Sequence, residues 1–123
     1  MKRQLYVTSK EFKKGRRLIG ILSENDGEYT FQYKLGEFIP EWFLVIKEFP
    51  DISRTYNGSE VERFVERIIP SRDAPYLDKI MENANVEKYD EWELLKAFGT
   101  MNMREDAFLY ESLPDGVITY EAL

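Results

Sequence analysis

Residues 59–99 read SEVERFVERIIPSRDAPYLDKIMENANVEKYDEWELLKAFG, and this stretch decides the fold because it punctuates itself into three short helices. Ser59 and Glu62 stand in the S-x-x-E arrangement of a capping box, in which the hydroxyl accepts from the third amide and the carboxylate returns to the first. From there Val61, Phe64, Val65 and Ile68 recur at helical spacing and make one face apolar. Glu60, Glu62, Arg63, Glu66 and Arg67 fall mainly on the other, solvated face. Pro70 ends the helix, since it disfavours helical geometry at Ile69. Asp73 is a good cap for a second helix with Pro75 in its first turn and Leu77, Ile80, Met81 and Ala84 as its apolar side. Asp90 and Glu93 repeat the capping pattern for a third, whose inward side is Trp92, Leu95 and Phe98 up to Gly99, a natural C′ residue. Isolated helices shorter than about 12–15 residues are marginal in water, so each must dock on a platform built by the rest of the chain.

That platform reads as β-structure. Residues 4–9 alternate, with Leu5 and Val7 on one face and Gln4, Tyr6 and Thr8 on the other. Residues 18–23 and 28–33 form a hairpin around Asn25-Asp26-Gly27, which supplies the left-handed backbone that a tight loop needs. Tyr29, Phe31 and Tyr33 share a face of it. Residues 41–47, with Trp42 to Ile46 all apolar, read as a strand buried on both faces, with a short helix as the alternative. Phe49-Pro50-Asp51 and Tyr56-Asn57-Gly58 are turn signals. Beyond Gly99, residues 100–106 read as a polar loop under which Met101 and Met103 tuck, and residues 107–111 and 117–121 as a second hairpin around Leu113-Pro114-Asp115-Gly116. The order strands, helices, strands predicts a single α+β domain spanning residues 1–123, an antiparallel sheet with about three short helices inserted between its N-terminal strands and a C-terminal hairpin.

Composition narrows the chemistry. The 123 residues include neither Cys nor His, which removes disulfides, zinc fingers, thiol nucleophiles, Ser-His-Asp triads and histidine bases. No apolar run approaches the roughly 18–20 residues that span a bilayer, and MKRQLYVTSK lacks the apolar core of a signal peptide, so a cytoplasmic protein without membrane contact is expected. Glycine spacings match neither a Walker A loop nor G-x-G-x-x-G, and no kinase catalytic loop or D-F-G occurs. No catalytic residue, cofactor or metal site is therefore expected. The charge is uneven: residues 1–17 hold seven Lys/Arg against one acid, a net of +6, which leaves −12 for the rest of a −6 chain.

Two surfaces invite a binding role. The basic N-terminal segment beside the Tyr29, Phe31, Tyr33 face has the ingredients of a nucleic-acid surface, cations for phosphates and rings for bases, although alternating aromatics in a hairpin are more often one side of a core. Pro70-Ser71-Arg72-Asp73-Ala74, a break pinned by helices at both ends, would present its side chains with little entropy left to lose on binding. Tyr76 stands behind it. Trp92 reads first as core and second as an interface anchor, the role in which tryptophan is enriched.

The run from Phe64 to Gly99, followed by Glu105 to Gly116, resembles the N-terminal subdomain of HipA-type serine/threonine kinases. The matching pieces are Phe64, Ile68-Ile69-Pro70, Leu94-Leu95, Phe98-Gly99 and Phe108 to Pro114, with Ile19-Gly20-Ile21-Leu22 and Tyr29-Thr30-Phe31-Gln32-Tyr33 as the upstream strands. The chain is similar to the small, stand-alone HipS-type component of split toxin–antitoxin modules. The resemblance implies a non-catalytic protein whose partner is a separate HipA- or HipT-like kinase, with a HipB-like helix-turn-helix protein as a further member of the complex. On that reading the chain restrains its kinase as an antitoxin, and Pro70, Ser71, Arg72, Asp73, Ala74, Tyr76 and Trp92 are the partner-binding residues. An obligatory activating subunit is the alternative within the family. A nucleic-acid-binding corepressor using the basic N-terminus is the alternative outside it.

Overall fold

The computed structural model describes residues 2–11, 15–36, 45–100, 107–117 and 119. Five strands are formed: β1 (Lys2–Glu11), β2 (Gly15–Asn25), β3 (Glu28–Tyr33), β4 (Tyr56–Asn57) and β5 (Ala107–Tyr110). Three helices, α1 (Ser59–Ile68), α2 (Leu77–Asn83) and α3 (Glu91–Gly99), stand between β4 and β5. The strands make one antiparallel sheet in the order β4-β3-β2-β1-β5, giving the expected α+β architecture.

Register explains the core. Leu5 lies opposite Leu22, Leu22 opposite Phe31 and Phe31 opposite Tyr56, so one row across four strands is apolar. A second row runs Leu109, Val7, Gly20, Tyr33. Because side chains alternate along each strand, both rows point to the same side of the sheet. There they meet Val61, Phe64 and Val65 of α1 and Trp92, Leu94 and Leu95 of α3 in one buried cluster. Phe31 stacks on Phe49 at 4.3 Å and meets Tyr33 edge-on at 4.9 Å, while Phe49 approaches Phe64 at 5.2 Å. The Tyr33 hydroxyl fastens the incoming loop by donating to Phe49 C=O at 2.7 Å and accepting from the Ile46 amide at 3.0 Å.

The β2–β3 hairpin turns as its sequence predicts. Asp26 and Gly27 both take positive φ, 51° and 89°, and the Glu24 carboxylate accepts from the Gly27 amide at 2.8 Å. The β1–β2 ladder outruns the alternating segments, from Lys2 opposite Asn25 to Glu11 opposite Gly15, with a register shift between Val7 and Thr8. Polar ends are carried there by backbone pairing, which alternation does not report.

Several expectations are corrected. Tyr56-Asn57 is no turn but the short strand β4 against Thr30 and Phe31, followed by Gly58 at φ 64°. Entering from that left-handed glycine, α1 is capped by Gly58 and no side-chain cap forms, so the Ser59/Glu62 box is not made. The second helix starts at Leu77 rather than at Asp73. Past its end at Asn83 and the C-cap Ala84, Asn85 is left-handed, with Asn85 N–H to Glu82 C=O and Val86 N–H to Met81 C=O closing a Schellman motif. Gly99 is the last residue of α3 rather than its C′ residue, and it is buried where a Cβ would meet Leu109 Cβ at 2.7 Å. The strand β5 pairs with β1; of its expected partner, Val117 and Thr119 lie in no strand and the remainder falls outside the described residues. The same is true of most of the 41–47 strand, whose described members Val45, Ile46 and Lys47 lie in no strand, and of Met101 and Met103.

Asp90 caps α3 as its sequence predicts, accepting from Trp92 N–H at 2.9 Å and Glu93 N–H at 3.1 Å. Asp90→Ala should lower unfolding free energy by about 1 kcal/mol, with Asp90→Ser nearly neutral, in urea titrations.

Candidate functional site

Pro70 stops α1 as expected: Ile69 is extended at φ −88° and ψ 155°, although its amide still donates to Val65 C=O at 3.1 Å. The chain then folds on itself rather than entering a helix. Ala74 N–H reaches Ser71 C=O at 3.0 Å, and the Ser71 hydroxyl accepts from the Asp73 amide at 3.2 Å. A helix beginning at Asp73 would have to run through Tyr76, whose backbone is left-handed at φ 59° and ψ 30°, so α2 starts beyond that residue. Ser71, Arg72, Asp73 and Pro75 are exposed, and Pro70 and Ala74 are half-buried.

Tyr76 carries the most conspicuous feature. It takes a left-handed backbone, φ 59° and ψ 30°, as the residue ahead of α2, and its side chain is 79 % exposed. A bulky residue pays a steric penalty in that region, where Gly or Asn sits more easily. Among the described residues, Val45 is the other exposed large apolar side chain, at 41 %.

The loop is anchored from the far side. Tyr89, between α2 and α3, donates its hydroxyl to Pro70 C=O at 2.6 Å, and the Arg72 guanidinium lies 4.1 Å from its ring centroid. Sequence reasoning missed Tyr89, since it stands outside every helical period. Its place directly ahead of the Asp90 cap was the available signal.

Trp92 does not join this surface. Its ring is 4 % exposed within the core cluster, and the Arg3 guanidinium covers it at 4.9 Å, so the core reading describes it. Pro70 to Ala74 and Tyr76 come together; Trp92 stands apart from them.

The aromatic half of the expected nucleic-acid platform is closed, and of the basic segment the side chains from Lys10 to Arg16 lie outside the described residues. Tyr29, Phe31 and Tyr33 are 8 %, 0 % and 6 % exposed, which leaves no ring face for a base. Burial pushes the Tyr33 hydroxyl up to about 12. Arg17 is fully buried and Arg3 is paired with Glu24 at 2.7 Å. The α1 carboxylates are likewise occupied in part, with Glu60 on Arg54 at 3.3 Å. Arg67, expected on the solvated face, turns inward to Glu48, joined by two bonds of 2.7 Å. Among the described residues no group of three or more acids stands close enough to hold a metal ion, and no helix is long and apolar enough to cross a membrane.

No curated protein and no solved structure gives a significant match to the chain. The model of one family, described as the HipA N-terminal domain, matches residues 13–103 of the 123. That span takes in β2, β3, β4, all three helices and the Pro70–Tyr76 loop, and it covers well over half the chain. A sheet carrying helices on one face, with an anchored loop at the α1–α2 break, is thus the form taken here by a chain that belongs to the HipA N-terminal domain family.

Proposed function

We propose that this chain is a protein-binding subunit that docks on a separate HipA-type serine/threonine kinase and restrains it, the antitoxin role of a split toxin–antitoxin module. Membership of the family associates the chain with toxin–antitoxin systems, and the HipA N-terminal domain is itself a non-catalytic subdomain. The observation that carries the reading furthest is Tyr76, an aromatic ring left 79 % exposed on left-handed backbone at the end of a pinned loop. Exposed aromatics on rigid backbone are typical interface anchors, because they contribute area while losing little freedom. The mechanism is steric: the loop 70–74 with Tyr76 packs against the kinase near its nucleotide-binding lobe and holds it inactive.

The test is co-purification of the tagged chain from its native host, identification of the bound kinase, and titration of variants against it. Tyr76→Ala should weaken binding by about 2 kcal/mol, roughly thirtyfold, and Arg72→Glu should weaken it as well, both with unchanged unfolding midpoints. Unchanged affinity for both variants would remove the proposed surface. A growth assay of the kinase with and without the chain then gives the sign. Relief of toxicity supports restraint, whereas toxicity that needs the chain makes it an activating subunit instead.

A further inference from the structure

Arg72 is the cation of the loop, and it rests on an anchored ring. Its guanidinium lies over the Tyr89 ring at 4.1 Å, and that ring is fixed by its own hydroxyl on Pro70 C=O at 2.6 Å. Arg72 is exposed and takes part in none of the ion pairs among the described residues. Stacking uses the face of the guanidinium and leaves its N–H donors unspent along the edge. Beside it the Ser71 oxygen accepts from the Asp73 amide, so its own O–H remains a donor. These groups border an open groove of about 390 Å³ lined also by Glu66, Ile69, Pro70 and Glu91.

We propose that this groove is a carboxylate clamp, in which Arg72, held flat on Tyr89, takes an Asp or Glu side chain of the partner kinase through paired N–H···O bonds, with the Ser71 hydroxyl as a third donor. The inference rests on the docking function proposed above and names the chemistry of its contact. The open fork of Arg72 calls for an anion, and charge decides between two of them. The groove sets one guanidinium against two carboxylates, Glu66 and Glu91, so a dianionic phosphate meets repulsion from both. A monoanionic carboxylate fits the planar fork of a single arginine and is opposed less. Tyr89 is a positioning residue. It does not touch the partner's carboxylate, but its ring removes rotamer freedom that Arg72 would otherwise lose on binding.

Calorimetric titration of the full chain against the co-purified kinase, at low and at moderate salt, tests the clamp. Arg72→Lys keeps the charge but loses the fork, and affinity should fall about tenfold with the salt dependence retained. Tyr89→Leu should weaken binding by a similar factor in the native background and have no further effect when combined with Arg72→Gln. Tyr89→Phe, which keeps the ring but frees it from Pro70 C=O, should lose less affinity than Tyr89→Leu. Phosphatase treatment of the kinase should change nothing. Native affinity in Arg72→Lys, or additive losses in the double variant, would overturn the clamp, and binding lost on phosphatase treatment would make the anion a phosphate. Should Tyr76→Ala weaken binding while Arg72 and Tyr89 variants do not, the clamp fails alone and docking stands. Should no kinase bind the chain, docking fails and the clamp with it.

Discussion

Arg67→Met should destabilise the protein by about 3–5 kcal/mol, whereas the double change Arg67→Met with Glu48→Leu should recover most of that loss. The pair is bidentate, with Arg67 Nε to Glu48 Oε2 and Nη2 to Oε1 both at 2.7 Å, and the side chains are only 16 % and 9 % exposed. Folding therefore strips much of the water from both charges, and their mutual attraction with its two charge-assisted bonds offsets that cost. Removing the arginine alone leaves the carboxylate buried without its counter-ion. Removing both charges leaves two apolar side chains beside Phe64, over whose ring Arg67 lies at 5.5 Å. The pH dependence has a definite sign. Burial pushes the Glu48 carboxyl up, but the hydrogen bonds and charge of Arg67 outweigh it, and its pKa lies below the ordinary 4.5. A depressed carboxyl contributes stability that is fully present above its ordinary pKa and is lost as pH falls through the folded value. In Arg67→Met burial is opposed only by the backbone hydrogen bond of Glu48 and the charge of Lys47, and the pKa should rise, so acid should protonate Glu48 and relieve the defect. Urea unfolding at neutral pH and well below pH 4.5 should show the gap between native and Arg67→Met shrinking in acid. An equal gap at both would mean that the pair does not carry the loss.

How much of this fold was legible in the sequence follows from where its signals are local. Val61, Phe64 and Val65 at helical spacing are the buried side of α1, and Asp90 caps α3, because periodicity and capping act within one or two turns. The Asp26-Gly27 loop is of the same kind. Where two local signals compete, the sequence leaves the outcome open. Ser59 had capping chemistry, yet the chain arrives from β4 through a left-handed Gly58, which sets the entry and takes the cap position. Asp73 had a cap followed by Pro75, but Tyr76 is left-handed and the helix starts only beyond it. The strand β4 escaped because two residues carry no alternation; its existence depends on Phe31 and Thr30 being ready to pair. The pairing of β5 with β1 joins residues about a hundred positions apart, and no local pattern encodes that.

The candidate surface divides in the same way. The break at Pro70 was legible because proline restricts its predecessor whatever the tertiary context. That Tyr76 faces solvent was not, since its exposure follows from a left-handed backbone that nothing about a tyrosine announces. Trp92 shows the converse limit. Its type suits both a core and an interface, and only the placement of Arg3 and the sheet beneath it decides for the core. Arg67 and Glu48 lie on different segments, and interleaved charges on a helix give no hint that one turns inward. The contact of Tyr89 with Pro70 and Arg72 is tertiary for the same reason.

Gly20→Ala should cost about 2 kcal/mol or more, a large penalty for one methyl group in a strand. Gly20 sits in β2 between Val7 and Tyr33, on the side of the sheet that faces the helices. A Cβ there would lie 2.5 and 2.7 Å from ring carbons of Phe31 and 2.8 Å from Gln32 C=O. Neither obstacle retreats easily. The Phe31 ring is fully buried, stacked on Phe49 at 4.3 Å and flanked by Phe64 at 6.3 Å, and the carbonyl belongs to the β3 backbone. Overpacking a filled core costs about 1–3 kcal/mol and at times more, and two rigid neighbours place this case in the upper part of that range. Alanine returns about 0.5–1 kcal/mol by restricting the unfolded chain, which the clash exceeds. Gly20→Val should exceed Gly20→Ala, because a β-branched side chain meets the same ring with two more carbons. The cause can be separated from a general weakening of the strand with Phe31→Leu, which destabilises on its own by leaving space beside Phe49. In the Gly20→Ala background the new methyl should occupy part of that space. The double variant should therefore be more stable than the sum of the two single losses, with recovery incomplete because Gln32 C=O remains. Strict additivity in chemical denaturation would show that the Phe31 ring is not what excludes a side chain at position 20.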